Sequence, residues 1–376
     1  MRKLTDLCDI QYGYAFDSSY FTEDSSYIPI VRIRDVKRGF SKTHYSSIFP
    51  VEYVIHKGDL LVGMDGEFNI AKWQSSDALL NQRVCKLTAK EGMNKEYLRY
   101  AMIKALKDLE NKTSFVTVKH LTAKELNRLE LNVPSVAIQN QRENTLSALE
   151  KIMHFRSKQL KSLDDLIKAR FIEMFGDAVD NPMEWKKRKL QEIVTDDCTI
   201  SYGIVQTGND QEDGVPVFRP VDIVNKIPKL TELKKTTEEI SNKYKRTILK
   251  GRELLITVRA NIADTCIIDE EFKGCNVGRG IVPIRIQEDI MVLEFLKYLL
   301  DSKHLNDDIK SKAKGITLIQ LNMEDLREVE LICPPLEKQI DFVEFAKQVD
   351  KSREEVKKSL EKTQQLYDSL MQEYFG

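Results

Sequence analysis

Two stretches of the sequence decide the fold: LTAKELNRLELNVPSVAIQNQ at residues 121–141 and LNMEDLREVELICPPLEKQID at residues 321–341. The second stretch repeats residues of the first two hundred positions later, with Leu121, Leu126, Leu131, Pro134 and Gln139 recurring as Leu321, Leu326, Leu331, Pro334 and Gln339. Matches at one constant spacing indicate an internal repeat, which has to be recognised before any single element is interpreted.

The match extends over most of the chain and keeps its order. Downstream, FIEMFG at residues 171–176 returns as MQEYFG at residues 371–376. Upstream, EYLRYAM at residues 96–102 corresponds to EFLKYLL at residues 294–300. The chain is therefore a duplicated unit whose two copies have diverged.

The bulk composition suits two soluble domains. The 376 residues allow two cores of ordinary size, and 41% hydrophobic with 31% charged residues is typical of a globular chain. The net charge of −1 argues weakly against a nucleic-acid partner, although residues 242–259 form a basic cluster. The sequence shows no signal-peptide region, no long apolar run, and no CxxC pair among its six cysteines. We therefore expect a cytoplasmic protein with free thiols and no membrane partner.

Each copy has two parts with different patterns. The first part mixes short β-branched runs, such as LLITV at residues 254–258, with glycine, proline and short helical periods, which predicts an α/β-mixed head. The second part contains neither glycine nor proline, follows a proline and ends at a glycine, which predicts one long helix. The predicted boundaries are a head at 1–134, a helix at 135–176, a head at 177–334 and a helix at 335–376.

The long helices carry a heptad seam, because apolar residues recur at alternating steps of three and four. The predicted coiled-coil interface consists of Leu149, Met153, Leu160, Leu163, Ile167, Val349, Val356, Leu360, Tyr367 and Leu370. A helix of about 40 residues is about 60 Å long and cannot bury such a stripe alone. We expect an α+β fold in which the two helices pair as an antiparallel coiled coil with an internal pseudo-two-fold repeat. The alternative is that each helix packs only on its own head.

Two related heads on a repeated spacer favour a ligand that is itself a regular rod. The helices match in register, whereas the heads differ in most residues. Duplex DNA presents equivalent groove positions about every 34–36 Å, so unlike heads at a fixed separation could read two unlike half-sites.

Several motifs, each in its place before a long helix or at the junction behind one, resemble a known family. They are IQYGYAFDSSYF (10–21), KGDLL (57–61), VPSVAIQNQ (133–141), EMFGD (173–177), WKKRKLQEI (185–193) and CPPLEKQ (333–339). KGDLL alone is a weak motif, but the ordered and duplicated set strongly resembles type I restriction-modification specificity subunits, over the whole chain.

The resemblance implies that each head is a target-recognition domain for one half of a bipartite, asymmetric DNA site, and that the paired helices set the gap. It implies a subunit without catalytic activity. Its partners would be double-stranded DNA, two methyltransferase (M) subunits and restriction (R) subunits. No cofactor is expected in this chain, while S-adenosylmethionine, ATP and Mg²⁺ are expected in the partner subunits.

The residues themselves give no independent sign of catalysis or of a metal site. The chain has no phosphate-binding GxxxxGK[ST] loop, and the closest matches to a methyltransferase Asn/Asp-Pro-Pro-aromatic motif, NVPS (132–135) and CPPL (333–336), have the wrong ends. The five histidines are scattered. Asp65 and Glu67 are interpreted as turn residues or as acceptors for base edges.

Candidate DNA contacts are polar side chains in the heads, because phosphates accept from Lys, Arg and hydroxyls, and base edges pair with Arg, Asn or Gln. The first head offers Tyr12, Tyr14, Arg32, Arg34, Asn69, Lys72, Trp73, Gln82, Arg83, Thr117 and Lys119. The second head offers Tyr202, Gln206, Arg219, Arg259, Asn261, Arg279, Lys314, Thr317 and Gln320.

Some of these candidates carry a further expectation. Arg32 and Arg34 alternate along a predicted strand and would share one face. Arg219 and Arg259 rank highest, because a charged group within an apolar strand costs free energy, and a function in DNA binding would explain why it is present. The tyrosines at positions 12 and 202 could equally be core residues.

Other functions stay open at this point. The chain could be the specificity chain of a type II-like single-chain restriction or modification enzyme, a fused methyltransferase or nuclease, or a coiled-coil protein that binds other proteins and no DNA. Salt-dependent binding to duplex DNA in the presence of a methyltransferase would separate the last from the others.

Inserting four residues into the helix at 135–176 should change the recognised gap. The insertion keeps the segment helical but breaks the heptad and moves one head by about 6 Å. Methylome sequencing of cells that carry the variant and its methyltransferase should show a new gap between unchanged half-sites. Altered half-site sequences would show that the helices do not set the spacing.

Overall fold

A computed structural model describes residues 1–112, 120–223, 229–315 and 319–376. The described chain forms two compact units. The first unit contains residues 1–158 and 357–376, and the second contains residues 159–356. Each unit thus combines one head with segments of both long helices.

In its described residues, the first head is built from short strands and four α-helices. Its strands are β1 (Arg2–Lys3), β2 (Cys8–Tyr12), β3 (Phe21–Thr22), β4 (Ile28–Val31), β5 (His44–Tyr45), β6 (Val54–Ile55), β7 (Leu60–Gly63), β8 (Asn69–Lys72), β9 (Ala78–Leu80), β10 (Val84–Ala89) and β11 (Glu130–Leu131). Its helices are α1 (Leu4–Leu7), α2 (Ile33–Arg38), α3 (Lys95–Lys112) and α4 (Ala123–Arg128), followed by the long α5 (Val136–Phe175). One sheet has the order β2-β10-β7-β8 and another the order β3-β5-β4-β9-β6.

The second head repeats this plan with fewer strands in the described residues. Its strands are β12 (Lys187–Lys189), β13 (Val215–Phe218), β14 (Lys234–Thr236), β15 (Glu253–Thr257), β16 (Thr265–Ile268), β17 (Asn276–Val277), β18 (Ile281–Ile284) and β19 (Glu330–Ile332). Its helices are α6 (Leu190–Ile193), α7 (Glu238–Lys243), α8 (Leu293–Asp301), α9 (Lys303–Ser311) and α10 (Met323–Arg327), followed by the long α11 (Leu336–Phe375). The parallel pair β4–β9 of the first head corresponds to the parallel pair β13–β17 of the second.

Each head opens and closes with the same two-stranded ribbon. In the first head, β1 pairs antiparallel with β11, and Arg2 lies opposite Leu131. In the second head, β12 pairs antiparallel with β19, and Arg188 lies opposite Leu331. The register is therefore the same in both copies, as the sequence repeat predicts.

The long helices end where the sequence stops favouring a helix. No glycine or proline interrupts residues 136–175 or 336–375. Gly176 has a φ of +73°, and its N–H donates to the carbonyl of Ile172 at 2.8 Å. A Cβ at this position would lie 2.6 Å from Cγ of Pro182, so both the backbone and the space require glycine. None of the described helices combines the length and the apolarity that crossing a bilayer requires.

In the first unit, the start of α5 packs against the end of α11. The Arg142 guanidinium donates to the carbonyl of Tyr374 at 3.0 Å and lies 4.6 Å from the centre of its ring. Further along α5, Glu150 accepts a hydrogen bond from the Tyr367 hydroxyl at 3.2 Å. Residue numbers rise along one helix as they fall along the other, so the two segments are antiparallel.

The second unit shows the same direction. Arg353 on α11 donates to the Asp164 carboxylate on α5 at 3.1 Å. The rings of Phe171 and Phe342 lie 5.5 Å apart, centre to centre, in an edge-on contact. Every predicted seam residue is buried or half-buried, namely Leu149, Met153, Leu160, Leu163, Ile167, Val349, Val356, Leu360, Tyr367 and Leu370.

Buried glutamines fix the first turn of each long helix to its own head. Gln139 accepts from the backbone N–H of Asn94 at 2.9 Å and donates to the carbonyls of Gly92 and Pro134. In the other copy, Gln339 accepts from the N–H of Val292 at 2.9 Å and donates to two carbonyls in the same way. The recurrence of glutamine in the repeat is thus explained by backbone groups that need a buried partner.

A second contact between helix and head is also duplicated. The Tyr100 hydroxyl donates to Glu150 at 2.9 Å, and the Tyr298 hydroxyl donates to Asp350 at 2.9 Å. Burial raises the pKa of both tyrosines, which keeps them as neutral donors. Each long helix therefore packs on its own head as well as on the other helix, so the alternative that each helix packs only on its own head is wrong.

The predicted fold class is confirmed: two α/β-mixed heads are each followed by a long helix, and the helices run antiparallel. The stretch LEFLKYLLDSKHL at residues 293–305 is divided between two helices, α8 and α9. Ser302 lies between them with an extended ψ of 134°.

Replacing Gln139 or Gln339 with alanine should lower the free energy of unfolding by about 1–3 kcal/mol, because buried backbone groups lose their partner. Urea denaturation measures the loss, and amide exchange at Asn94 or Val292 locates it. Gln141→Ala, an exposed site on the same helix, should change stability by less than about 0.5 kcal/mol. Equal effects at positions 139 and 141 would contradict this role.

Candidate nucleic-acid interface

In the first head, the loop that follows β7 (residues 64–68) meets the segment that leads into α4 (residues 120–122). We call this region, with the turn that carries Arg83, the rim of the head. The Met64 N–H donates to the carbonyl of Arg83 at 2.9 Å, and the Leu121 N–H donates to the carbonyl of Met64 at 2.7 Å. Between these bonds, Arg83 donates to both carboxylate oxygens of Asp65, at 3.0 and 2.9 Å. Nδ1 of His120 lies 2.7 Å from the same carboxylate. Three polar side chains thus form one charged network.

Two more predicted residues lie beside this network. The Gln82 N–H donates to the Tyr14 carbonyl at 2.8 Å, which places Tyr14 next to the turn that carries Arg83. The Tyr14 ring is 43% exposed and packs 5.2 Å from Tyr53, centre to centre. Tyr14, Gln82 and Arg83 therefore share one part of the rim, where an exposed ring and donors lie together.

The rim of the second head has the same backbone bonds and different side chains. The Val258 N–H donates to the carbonyl of Gly280 at 2.8 Å, and the Leu321 N–H donates to the carbonyl of Val258 at 3.0 Å. Here Arg259 donates through Nη2 to the side-chain oxygen of Gln320. The Nε of Arg259 is buried and has no hydrogen-bond partner among the described residues.

Other predicted residues surround this second rim. The backbones of Lys314 and Gln320 exchange two hydrogen bonds, at 2.9 and 3.0 Å, and the Lys314 side chain is 72% exposed. Arg279 is exposed, and its N–H donates to the carbonyl of Ile204 at 2.8 Å, close to the exposed Gln206. Asn261 is exposed in the loop that follows Arg259.

Both predicted tyrosines use their hydroxyls inside their own head. The Tyr12 hydroxyl donates to Oδ1 of Asn127 at 3.0 Å, and burial raises its pKa to about 12. The Tyr202 hydroxyl lies 3.5 Å from the carbonyl of Leu321. These contacts favour the interpretation of the pair as residues that pack the head.

Trp73 has to be removed from the predicted DNA contacts. Its side chain is 1% exposed, belongs to the core around Val31 and Ile55, and donates through Nε1 to the carbonyl of Ser76. The surrounding sequence is polar and predicted a loop, but burial of the large apolar ring of Trp73 is favoured in free energy over its exposure to water.

The predicted positions of four arginines within strands were also wrong. Arg32 and Arg34 do not alternate along a strand, because Arg32 directly precedes α2 and Arg34 lies within it. Arg219 and Arg259 lie just beyond β13 and β15 rather than inside them. Arg219 donates to Asp222 at 2.9 and 2.7 Å, a pairing that raises its pKa and occupies part of its guanidinium.

Lys72 and Asn69 of the first head are bonded to groups outside the rim network. The Lys72 ammonium lies 3.1 Å from the Glu96 carboxylate of α3. Asn69 donates to the carbonyl of Glu67 at 2.8 Å. Thr117 and Lys119 of the first head, and Thr317 of the second, lie outside the described residues.

The sequence analysis did not predict that Asp65 and His120 lie next to each other. Asp65 was interpreted as a turn residue or a base acceptor, and His120 as one of several scattered histidines. The only available signal was position, since His120 directly precedes the repeated Leu121. The pairing itself joins residues far apart in the chain and needs the fold.

Within the described residues, one cluster has the spacing of metal ligands. Ligand atoms of Asp177, Asp180 and His304 all lie within 4.8 Å of one another. Nδ1 of His304 lies 3.0 Å from Asp177, which also accepts backbone N–H groups from Val179 and Asp180. Burial raises the pKa of Asp177, but these donors lower it more, so the net shift is downward. The hydrogen bonds alone account for this geometry.

Comparison with known proteins assigns both copies to one family. The family model of the type I restriction modification DNA specificity domain matches residues 1–163 and again residues 182–365. The chain is 30% identical over 401 residues to the specificity subunit of the type I restriction enzyme EcoBI from Escherichia coli, covering 99% of this chain and 84% of that protein. It is 22% identical over 378 residues to the MjaVIII specificity subunit from Methanocaldococcus jannaschii, covering 92% and 86%.

Solved structures show the same fold. The S subunit of a type I restriction-modification system from M. genitalium matches with a TM-score of 0.60 at 14% identity, over 100% of this chain and 95% of that one. A chain from a study of complex assembly and conformational transition in the type I system matches with a TM-score of 0.62 at 18% identity, over 99% and 96%. These matches do not favour the single-chain enzyme or the protein-binding coiled coil. The chain belongs to the family of type I restriction-modification specificity subunits, which recognise DNA.

Proposed function

We propose that each head reads one half of a bipartite, asymmetric DNA site, and that the chain docks two methyltransferase subunits and, through the same complex, restriction subunits. The observation that carries this proposal is the contrast between the two rims. The same backbone frame presents an aspartate at position 65 and an arginine at position 259. The two rims therefore present different sets of side chains on one frame, so the half-sites should differ.

Exposed cations around the second rim support the grip on DNA. The Lys314 side chain is 72% exposed, and Arg279 is also exposed. Cations of this kind neutralise phosphates and release counterions, which gives affinity that falls with salt. Discrimination between sequences then depends on the few side chains that reach base edges.

The chain itself is proposed to be non-catalytic. The buried carboxylate of Glu253, whose pKa is raised by burial, is bound by Arg285 at 2.6 Å within the second head and has a structural role. We assign methylation and DNA cleavage to partner subunits. Those subunits would bind S-adenosylmethionine, ATP and Mg²⁺.

Methylome sequencing of cells that express this chain with its methyltransferase should reveal one two-part motif with unlike halves separated by a fixed gap. The expectation follows from two heads with different rims. Cells with the methyltransferase alone are the control and should lack the motif. A single continuous motif would contradict the bipartite proposal.

The purified chain should neither bind S-adenosylmethionine nor methylate DNA, whereas addition of the methyltransferase should give activity on duplexes that contain the motif. Affinity of the complex should drop about 10³-fold or more between 50 and 200 mM salt if six or more phosphates are contacted. Calorimetry measures the binding of S-adenosylmethionine, and filter binding measures the affinity for DNA. Cofactor binding by the isolated chain would show that it is an enzyme.

A further inference from the structure

The rims of the two heads can be compared position by position, because they share a backbone frame. Met64 and Val258 each donate to a carbonyl across the rim, and the acceptors are Arg83 in the first head and Gly280 in the second. Arg83 therefore occupies the position of Gly280. One residue further along each loop, Asp65 occupies the position of Arg259.

Both heads hold a guanidinium at this rim, but they obtain it from different chain positions. In the first head the arginine is residue 83 and its partner is Asp65. In the second head the arginine is residue 259, which is the position of Asp65, and its partner is Gln320. An alignment of the two sequences does not pair Arg83 with Arg259. The matching backbone hydrogen bonds show that each arginine belongs to the same region of its own head.

In the second head, Pro220 leaves little room for a side chain at the position that corresponds to Arg83. A Cβ added at Gly280 would lie 2.5 Å from Cγ of Pro220, whereas its distance of 3.4 Å from Cβ of Arg259 is an ordinary contact. The second head supplies its arginine from position 259 instead. The arginine at the rim is thus exchanged between two positions, and only one is occupied in each head.

The backbone at Arg83 indicates that this arginine is retained for its side chain. Its φ is +69°, in the left-handed region that residues other than glycine rarely adopt. Glycine would adopt this conformation without strain, and its counterpart in the second head, Gly280, does not have a positive φ. Backbone strain of this kind is concentrated at functional sites.

Each guanidinium is held by a partner and remains accessible. The Arg83 side chain is 55% exposed, and Asp65, which lies against His120, binds it through Nη1. Arg259 is half-buried and bound through Nη2. A fixed, planar guanidinium with free N–H groups matches the O6 and N7 acceptors of guanine in the major groove.

We propose that Arg83 and Arg259 are corresponding specificity-determining residues, each of which reads a guanine in the half-site of its own head. Asp65 and Gln320 are the positioning residues that hold them. This inference rests on the proposed function, because it assumes that each head reads a half-site.

The test uses the full chain in complex with its methyltransferase and measures methylation on a library of duplexes. Arg83→Lys keeps the charge but removes the planar fork, so it should lower discrimination at one G·C pair of one half-site by roughly 5- to 150-fold. Arg259→Lys should do the same at one pair of the other half-site. In each variant the unaltered half-site is an internal control for folding.

Arg38→Lys is the matched control in the first head. Its side chain is 54% exposed, against 55% for Arg83, and it lies on α2. This variant should leave the motif unchanged. Relaxation of the same base pair by Arg38→Lys would overturn the assignment of Arg83.

The positioning residue of the second head is tested by exchange of its acceptor. Gln320→Ala should relax the base read by Arg259, while Gln320→Glu should restore it, because a carboxylate accepts from arginine as Asp65 does in the first head. A structural role alone would not predict rescue by glutamate. Failure of this rescue would overturn the assignment of Gln320.

Two further outcomes overturn the central inference. If Arg83→Lys and Arg259→Lys slow methylation of all duplexes equally, or change nothing, the arginines do not read bases. If the motif of the unaltered chain lacks a G·C pair in either half, no guanine is read, although the proposed function stands. Absence of any two-part motif with the unaltered complex would instead contradict the proposed function.

Discussion

Two buried glutamine side chains, Gln139 and Gln339, connect each long helix to its head, and the rest of the structure depends on this connection. Each satisfies one backbone N–H and two carbonyls where a loop meets the first turn of a helix. Because the same bonds occur in both copies, each helix leaves its head in the same way. Antiparallel pairing inside each unit then covers a seam that neither helix could bury alone.

The heads use a constant backbone and variable side chains. The hydrogen bonds that join the loop after β7 or β15 to the segment before α4 or α10 are the same in both copies. The side chains they present differ in charge and in the chain position that supplies arginine. A scaffold of this kind can change what it recognises without changing how it folds, since the side chains that differ, Asp65 and Arg259, are outside the buried core.

Much of the fold was predictable from the sequence, because the repeat, the proline and glycine boundaries and the heptad period are local or periodic signals. The rim was less predictable. Trp73 was taken for a surface residue because its neighbours are polar, and Arg32 was placed in a strand that ends one residue earlier. The network of Arg83, Asp65 and His120 joins distant parts of the chain, so no local pattern encodes it.

The ribbon of β1 with β11, and of β12 with β19, has one more consequence. The first and last strands of a head lie side by side in an identical register, with arginine opposite leucine in both copies. A head is therefore a cassette whose two ends are neighbours. Replacement of everything between those ends would leave the sequence of the long helices unchanged, and the new head would have to offer the same backbone groups to Gln139 or Gln339. New target preferences could then arise by exchange of whole cassettes between genes, with no need to evolve a new scaffold.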